Sequence, residues 1–414
     1  MSGAARAARD AAFLSSLSRQ GLPVSNPLQT PSEADSGETY VRTDDALTPE
    51  QLAEAREYGR LELRCSLADK MLDVAFLAVM AFAFAVPLDR WLAGFFESAT
   101  LRVAALYGVT TLVHMAISFP LSYYSGFALE HRYEMSRETF GHWLWRYCKR
   151  NGLALAFGLV LVLALYWIIW LTGSWWWVAA AAGFFVVTVV LGQLAPVLIV
   201  PLFYKVERLD NPELSERMAR LAEGTGLSIQ GVYRLGLSEE TTKANAMLAG
   251  IGGTRRVLMG DTLLDRFTPD EIEVIFAHEI GHHVHHHIRK MILAGLIYSA
   301  AGFWLCSVIL LSWAQSHFGP LSAHDMPPAT LPLLMLVLTV FSLLLEPLQN
   351  VISRRYERQC DRYALDRTGL RDAYVSAFQK LARLNKDDPD PHPLEVFLFH
   401  SHPPIRERLA MADE

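Results

Sequence analysis

Five stretches of this chain contain no Asp, Glu, Lys or Arg, at residues 74–88, 103–129, 151–204, 291–324 and 326–345. A bilayer core takes about 20 apolar residues per helix. The 54-residue stretch therefore holds two crossings, divided near "LTGSWWW", and each of the others holds one, which predicts six. The first stretch, at 15 residues, is short enough to be read instead as a buried or interfacial helix. A hydrophobic content of 52% and a positive mean hydropathy also argue against an ordinary soluble chain.

Basic residues set the expected orientation. Arg132, Arg137, Arg146, Lys149 and Arg150 follow the second crossing, whereas only Arg90 and Arg102 lie in the loops after the first, third and fifth. The positive-inside rule then places both termini and segments 123–152, 205–290 and 347–414 in the cytoplasm. A formal net charge of −6 with no extended basic block excludes nucleic acid as a partner class. The four cysteines have no CxxC spacing, which fits reduced thiols. "MSGAARAARDAAFLSSL" lacks the sustained apolar core of a cleavable signal.

The expected organisation is a disordered polar tail over 1–46, a cytoplasmic helix over 47–72, crossings one to four over 73–204, a catalytic segment over 205–290, crossings five and six over 291–346, and a second catalytic segment over 347–414. In "LTPEQLAEAREYGRLELRC", Thr48, Pro49 and Gln51 form a capping-box start. "LDNPELSERMARLAEGTGL" reads as a helix ending at Gly224, and "IQGVYRL" and "RRVLMGDTLL" read as strands. "TPDEIEVIFAHEIGHHVHHHIRK" reads as one helix capped by Thr268 and Glu271, and "LQNVISRRYERQCDRYALDRTG" as another that stops at Gly369.

The histidines of "AHEIGHHVHHH" carry the chemistry. Residues four apart share a helix face, so His278 and His282 point together with Glu279 beside them, in the pattern H-E-x-x-H. Two neutral imidazoles can hold Zn²⁺ while the carboxylate takes a proton from a water that the metal acidifies. Taken alone, the pattern occurs by chance, and a polar helix end is the plain alternative. His282/His286 and His283/His287 are also four apart, but neither first histidine is followed by Glu. His283, His285, His286 and His287 are accordingly expected at the surface, with His287 the one most suited to line the site. "SRRYERQCD" taken alone reads as a salt-bridged, Arg-rich surface, but beside H-E-x-x-H it offers a third ligand: Glu357 can bind the metal, and Asp361, one helical turn on, can hold the outer nitrogen of a ligand histidine. Both segments fall on the face assigned to the cytoplasm by basic residues alone.

Six blocks in this order, "FPLSYYSGFALEHRYEMSRET", "PVLIVPLFYKVERLDNPEL", "KANAMLAGIGGTRRVLMGDTLL", "AHEIGHHVHHH", "NVISRRYERQCDRYAL" and "SHPPIRERL", give a sequence that resembles the type 1 CAAX prenyl endopeptidases, membrane zinc metalloproteases of the gluzincin kind. The resemblance runs from about residue 57 to residue 409. It implies a mostly α polytopic membrane fold, with about six transmembrane helices enclosing a chamber and a cytoplasmic zincin-type α+β domain with a small sheet. It implies one Zn²⁺ per chain held by His278, His282 and Glu357, with Glu279 as general base. Asn245 and Ala246 match the edge strand that holds a substrate backbone, and His402 and Arg408 match a C-terminal motif that stabilises the oxyanion. Eukaryotic members have seven crossings, and a polar tail stands here in place of the first. "SEETTKANA" also lacks the basic and histidine residues often found before "NA", so the substrate entrance departs from the family pattern.

The expected partners are the bilayer and peptide or membrane-protein substrates, lipidated or not. A membrane quality-control protease without prenyl specificity is the second reading, and a transporter or scaffold with structural zinc is the third. Ala- and Arg-rich composition and a C-terminal "RLAMADE" without a reticulum-retrieval signal point to a bacterial inner membrane.

Overall fold

The computed structural model describes residues 47–227, 231–249 and 256–414; the tail expected over 1–46 lies outside the described residues. Helix α1 (Pro49–Val79) opens on the expected capping box, with Thr48 and Gln51 each accepting from the other's backbone N–H. No boundary separates this polar helix from the first apolar stretch. α1 passes through a π-turn at Met80–Phe84 into α2 (Ala85–Ala93), making one rod of 45 residues. Counting charge-free residues underestimated this element because the charges that end the count are paired against neighbouring helices. Asp73 lies 2.7 Å from Nε2 of His114, and Asp89 lies 3.2 Å from Nη1 of Arg102.

α3 (Ala99–Tyr123) continues through a second π-turn as far as Arg132. α4 (Phe140–Thr172) and α5 (Trp176–Leu194) belong to one 55-residue helical stretch, more than twice what one crossing needs. The run breaks at Gly173, where φ is +56° and an added Cβ would sit 2.2 Å from the His324 ring. Only glycine satisfies both conditions, and the "LTGSWWW" division falls where the sequence placed it.

Beyond the first four crossings comes a small sheet: β1 (Val206–Arg208), α6 (Pro212–Ala222), β2 (Val232–Leu235), β3 (Ala246–Ala249) and β4 (Arg256–Gly260). Its order is β1-β2-β4-β3, with β2 and β4 parallel and the outer pairs antiparallel. Among the described residues β3 pairs with β4 alone and is an edge. "DTLL", expected to prolong a strand, is a helical turn at Asp261–Leu264. The Asp261 carboxylate causes the turn by accepting from the backbone N–H groups of Leu237, Ser238 and Thr262.

α7 (Pro269–Val284) begins at the expected Thr268/Glu271 capping box. It does not run on through residue 290, because the chain breaks at His285 and His286, the latter at φ +57°, before α8 (His287–Phe318) starts. α9 (Leu331–Thr368) ends at Gly369, φ +67°, and is followed by α10 (Arg371–Asn385), α11 (Pro393–Phe399) and α12 (Ile405–Ala410). Among the described residues, five stretches are long and apolar enough to cross a membrane. The third bends at Gly173 into α4 and α5, the division on which the expectation of six crossings rests.

Val257 and Met259 of β4, Ile275, Phe276 and Ile280 of α7, and Tyr374 and Phe378 of α10 share one buried core with Leu214, Met218 and Leu221 of α6. The lead-in to β3 is stitched to the loop after α3. Ser136 bridges Thr241, Thr242 N–H donates to Met135 O at 3.0 Å, and Arg146 joins Glu138 to Glu240 at 2.5 Å each. The edge strand is thus anchored to the helical bundle as well as to its own sheet.

Candidate metal centre

α7 and α9 approach closely because position 281 is glycine: a Cβ there would lie 2.9 Å from Cys360 Cα. At that separation His278 Nε2 stands 3.1 Å from Glu357 Oε2, and His282 Nε2 stands 3.4 Å from Glu357 Oε1. Each carboxylate oxygen faces a different imidazole nitrogen. The outer nitrogen of His278, Nδ1, lies 2.8 Å from Asp361 Oδ1. Asp361 is in turn gripped by Arg408, and the Arg408 guanidinium lies 3.9 Å over the Phe378 ring.

His402 Nε2 is 3.6 Å from Glu357 Oε2, on a side chain that is 62% exposed against 6% for Glu357, so it stands at the open side of the group. Glu279 is half-buried on α7 beside His278. Asn245 is exposed just before β3, and its carbonyl accepts from Gly260 N–H at 2.9 Å. Ala246 pairs with Met259, and β3 packs against α7.

These residues fit a divalent cation. Glu357 Oε2 is buried and accepts no hydrogen bond in sound geometry, a costly condition for a carboxylate unless a cation shares the space. The donor set, two imidazole nitrogens and a carboxylate, is one that zinc takes. His278 is electrostatically primed as well. Burial works against its charge, but Asp361 and Glu357 outweigh that and hold its pKa up at about 9. A cation arriving at Nε2 replaces a proton there. Cys360 Sγ also comes within metal-ligand reach of both histidines. It lies 3.6 Å from His287 Nδ1, and the thiol fills the space beneath Gly281.

His287, grouped with the surface histidines but singled out as the one most suited to line the site, is fully buried, whereas His286 is exposed and His283 and His285 are half-buried. Its Nδ1 is 3.2 Å from His282 Nδ1, and its Nε2 is 2.9 Å from Gln359 Oε1. Gln359 and Cys360 carried no signal in the sequence, since nothing in a single chain marks which side of α9 meets α7.

Residues 41–205 match the family model described as CAAX prenyl protease N-terminal, five membrane helices, and residues 208–414 match that of peptidase family M48. The chain belongs to peptidase family M48. It is an integral membrane zinc metalloprotease of the CAAX prenyl protease branch. Among M48 relatives, "Uncharacterized metalloprotease YhfN" of Bacillus subtilis is 28% identical over 378 residues, 89% of this chain and 87% of that protein. "CAAX prenyl protease 1" of Saccharomyces cerevisiae is 26% identical over 409 residues, covering 89% and 87%. The crystal structure of S. mikatae Ste24p shares the fold, with a TM-score of 0.78 over 90% of this chain and 91% of that one at 24% identity.

Proposed function

We propose that this metalloprotease is an endopeptidase for membrane-associated polypeptides, lipidated CAAX-like segments among them, working at the cytoplasmic face of a bacterial inner membrane. The observation that carries the site is the placement of His278 Nε2 and His282 Nε2 against separate oxygens of a buried Glu357. His278, His282 and Glu357 are the ligands of one zinc. When bound, zinc supplies Lewis acidity that acidifies water and polarises a carbonyl.

Glu279 takes the proton of the attacking water and passes it to the leaving amine. β3 receives the substrate backbone as an added strand beginning at Asn245 and Ala246. His402, on the open side, donates to the oxyanion. Arg408 acts from behind, since two of its nitrogens are committed to Asp361 and the side chain is buried. The names of the CAAX protease relatives support lipidated substrates, and the Arg and Lys distribution supports the cytoplasmic side.

The test is mass spectrometry of products from a farnesylated CAAX peptide and its unmodified counterpart, with Glu279→Gln as control. Preferential cleavage of the farnesylated peptide supports the proposal. Equal cleavage of both moves the assignment to a quality-control protease without prenyl specificity. Cleavage of neither by zinc-loaded protein overturns the substrate class.

A further inference from the structure

The two ligand histidines are supported differently: His278 has the Asp361 carboxylate behind it, 2.8 Å from Nδ1. Behind His282 stands His287, a fully buried imidazole whose Nδ1 is 3.2 Å from His282 Nδ1. We propose that His287 is a positioning residue for the metal site, fixing the tautomer and ring orientation of His282 by accepting its Nδ1–H. This rests on the reading of His282 as a zinc ligand through Nε2.

Proton placement follows from the contacts. Two ring nitrogens 3.2 Å apart can share one proton only. His287 Nε2 lies 2.9 Å from Gln359 Oε1, an acceptor, so the His287 proton sits on Nε2 and leaves Nδ1 as a lone pair. His282 then donates from Nδ1, and its Nε2 lone pair is turned toward Glu357, 3.4 Å away. The order Gln359–His287–His282 thus delivers a metal-ready imidazole, the role that a carboxylate or carbonyl plays behind most ligand histidines.

The ring of His287 is itself held, stacked on Tyr356 at 4.1 Å and 12° between planes, with Cys360 Sγ 3.6 Å from Nδ1. The backbone is shaped for this contact. In an unbroken helix a residue five positions after His282 would project roughly 140° away from it. His286, a non-glycine residue at φ +57°, breaks the helix at a cost of roughly 1–2 kcal/mol and brings His287 back beneath His282. An exposed histidine tract gives no reason for that conformation; a support for His282 does.

The experiment measures zinc affinity of the purified full chain by competition with a chromophoric chelator, alongside thermal unfolding of the metal-depleted protein. His287→Ala is expected to weaken zinc by the ~10–100-fold typical of losing such an outer partner. His287→Asn places a carbonyl oxygen near the Nδ1 position and should restore affinity to within about threefold of wild type, even though both variants lose the Tyr356 stacking equally. Wild-type affinity in His287→Ala overturns the proposal. Equal weakening in both variants overturns it in favour of simple packing. If His287→Ala does not fold, Gln359→Leu at a half-buried position tests the same proton order: several-fold weaker zinc supports it and unchanged zinc overturns it. His282→Ala separates this outcome from failure of the underlying reading, because zinc binding unchanged in that variant means His282 is not a ligand at all.

Discussion

Arg408 and Asp361 are joined by two hydrogen bonds in the buried wall behind His278, Nε to Oδ2 at 2.9 Å and Nη2 to Oδ1 at 2.6 Å. The guanidinium neutralises the carboxylate that orients His278, and its Nη2 also lies 3.4 Å from His278 Nδ1 and 4.0 Å from Glu357 Oε2. Arg408→Ala leaves that carboxylate buried and uncompensated, a loss of about 3–5 kcal/mol when one partner of such a pair is removed. Arg408→Lys recovers only part of it, because an ammonium cannot make the two-pronged contact. Denaturant unfolding together with zinc content reads both effects. Full stability and full zinc with a lowered kcat would place Arg408 on the substrate instead.

Glu279 and Glu357 should separate catalysis from metal binding. Glu279→Gln keeps zinc near one per chain while cleavage falls by ~10²–10⁴. Glu357→Ala loses most of the zinc and all cleavage with it. Stoichiometric zinc in Glu357→Ala, measured by atomic absorption, would move the third ligand elsewhere, with Cys360 the first residue to examine.

Gly281 lies inside the H-E-x-x-H motif, and its role is steric. A methyl group there meets Cys360 Cα at 2.9 Å, a backbone atom that no side-chain rotation can move. Gly281→Ala should therefore push α7 from α9, cost about 1–3 kcal/mol and weaken zinc. Cys360→Ala in the same chain should not rescue it. Full rescue, read by thermal unfolding, would show that the sulfur and not the backbone sets the helix separation.

Asp261 gives a pH signature away from the metal. Burial pushes its carboxyl pKa up, but donors from Ser238, Leu237 and Thr262 outweigh burial and hold it below the usual carboxylate range. A depressed folded pKa contributes stability that is present above the unfolded value of about 3.9 and is lost as pH falls through the lower folded value. Asp261→Asn should cost about 1.5–3 kcal/mol at neutral pH, and its deficit should shrink as pH drops below about 4. A deficit independent of pH in urea titrations would mean that shape and not charge makes the turn.

Six crossings return a chain to the face from which it started. Cys residues placed at Glu50 and Glu414 should both react with an impermeant maleimide only after the inner face of the membrane is opened. Labelling of one from outside would mean an odd count, with the α4–α5 turn at Gly173 the first place to look.

What the sequence determined by itself was everything that depends on spacing along one element. The capping boxes at Thr48 and Thr268, the stop at Gly369 and the shared face of His278 and His282 all follow from local geometry and solvent preference. Two stretches misled for local reasons: charges ended the first crossing too early, and "DTLL" has strand-like residues but is turned by a carboxylate reaching back to Leu237 and Ser238. Only the tertiary structure decided which faces meet. It set Glu357 between two imidazoles, committed Arg408 to Asp361, and bent the chain at His286 to bury His287. The first two are contacts between elements distant in sequence, set by how closely α7, α9 and α12 pack, and helical periodicity holds no information on that separation; the bend is local, but it departs from the helical period by which the histidine tract is read.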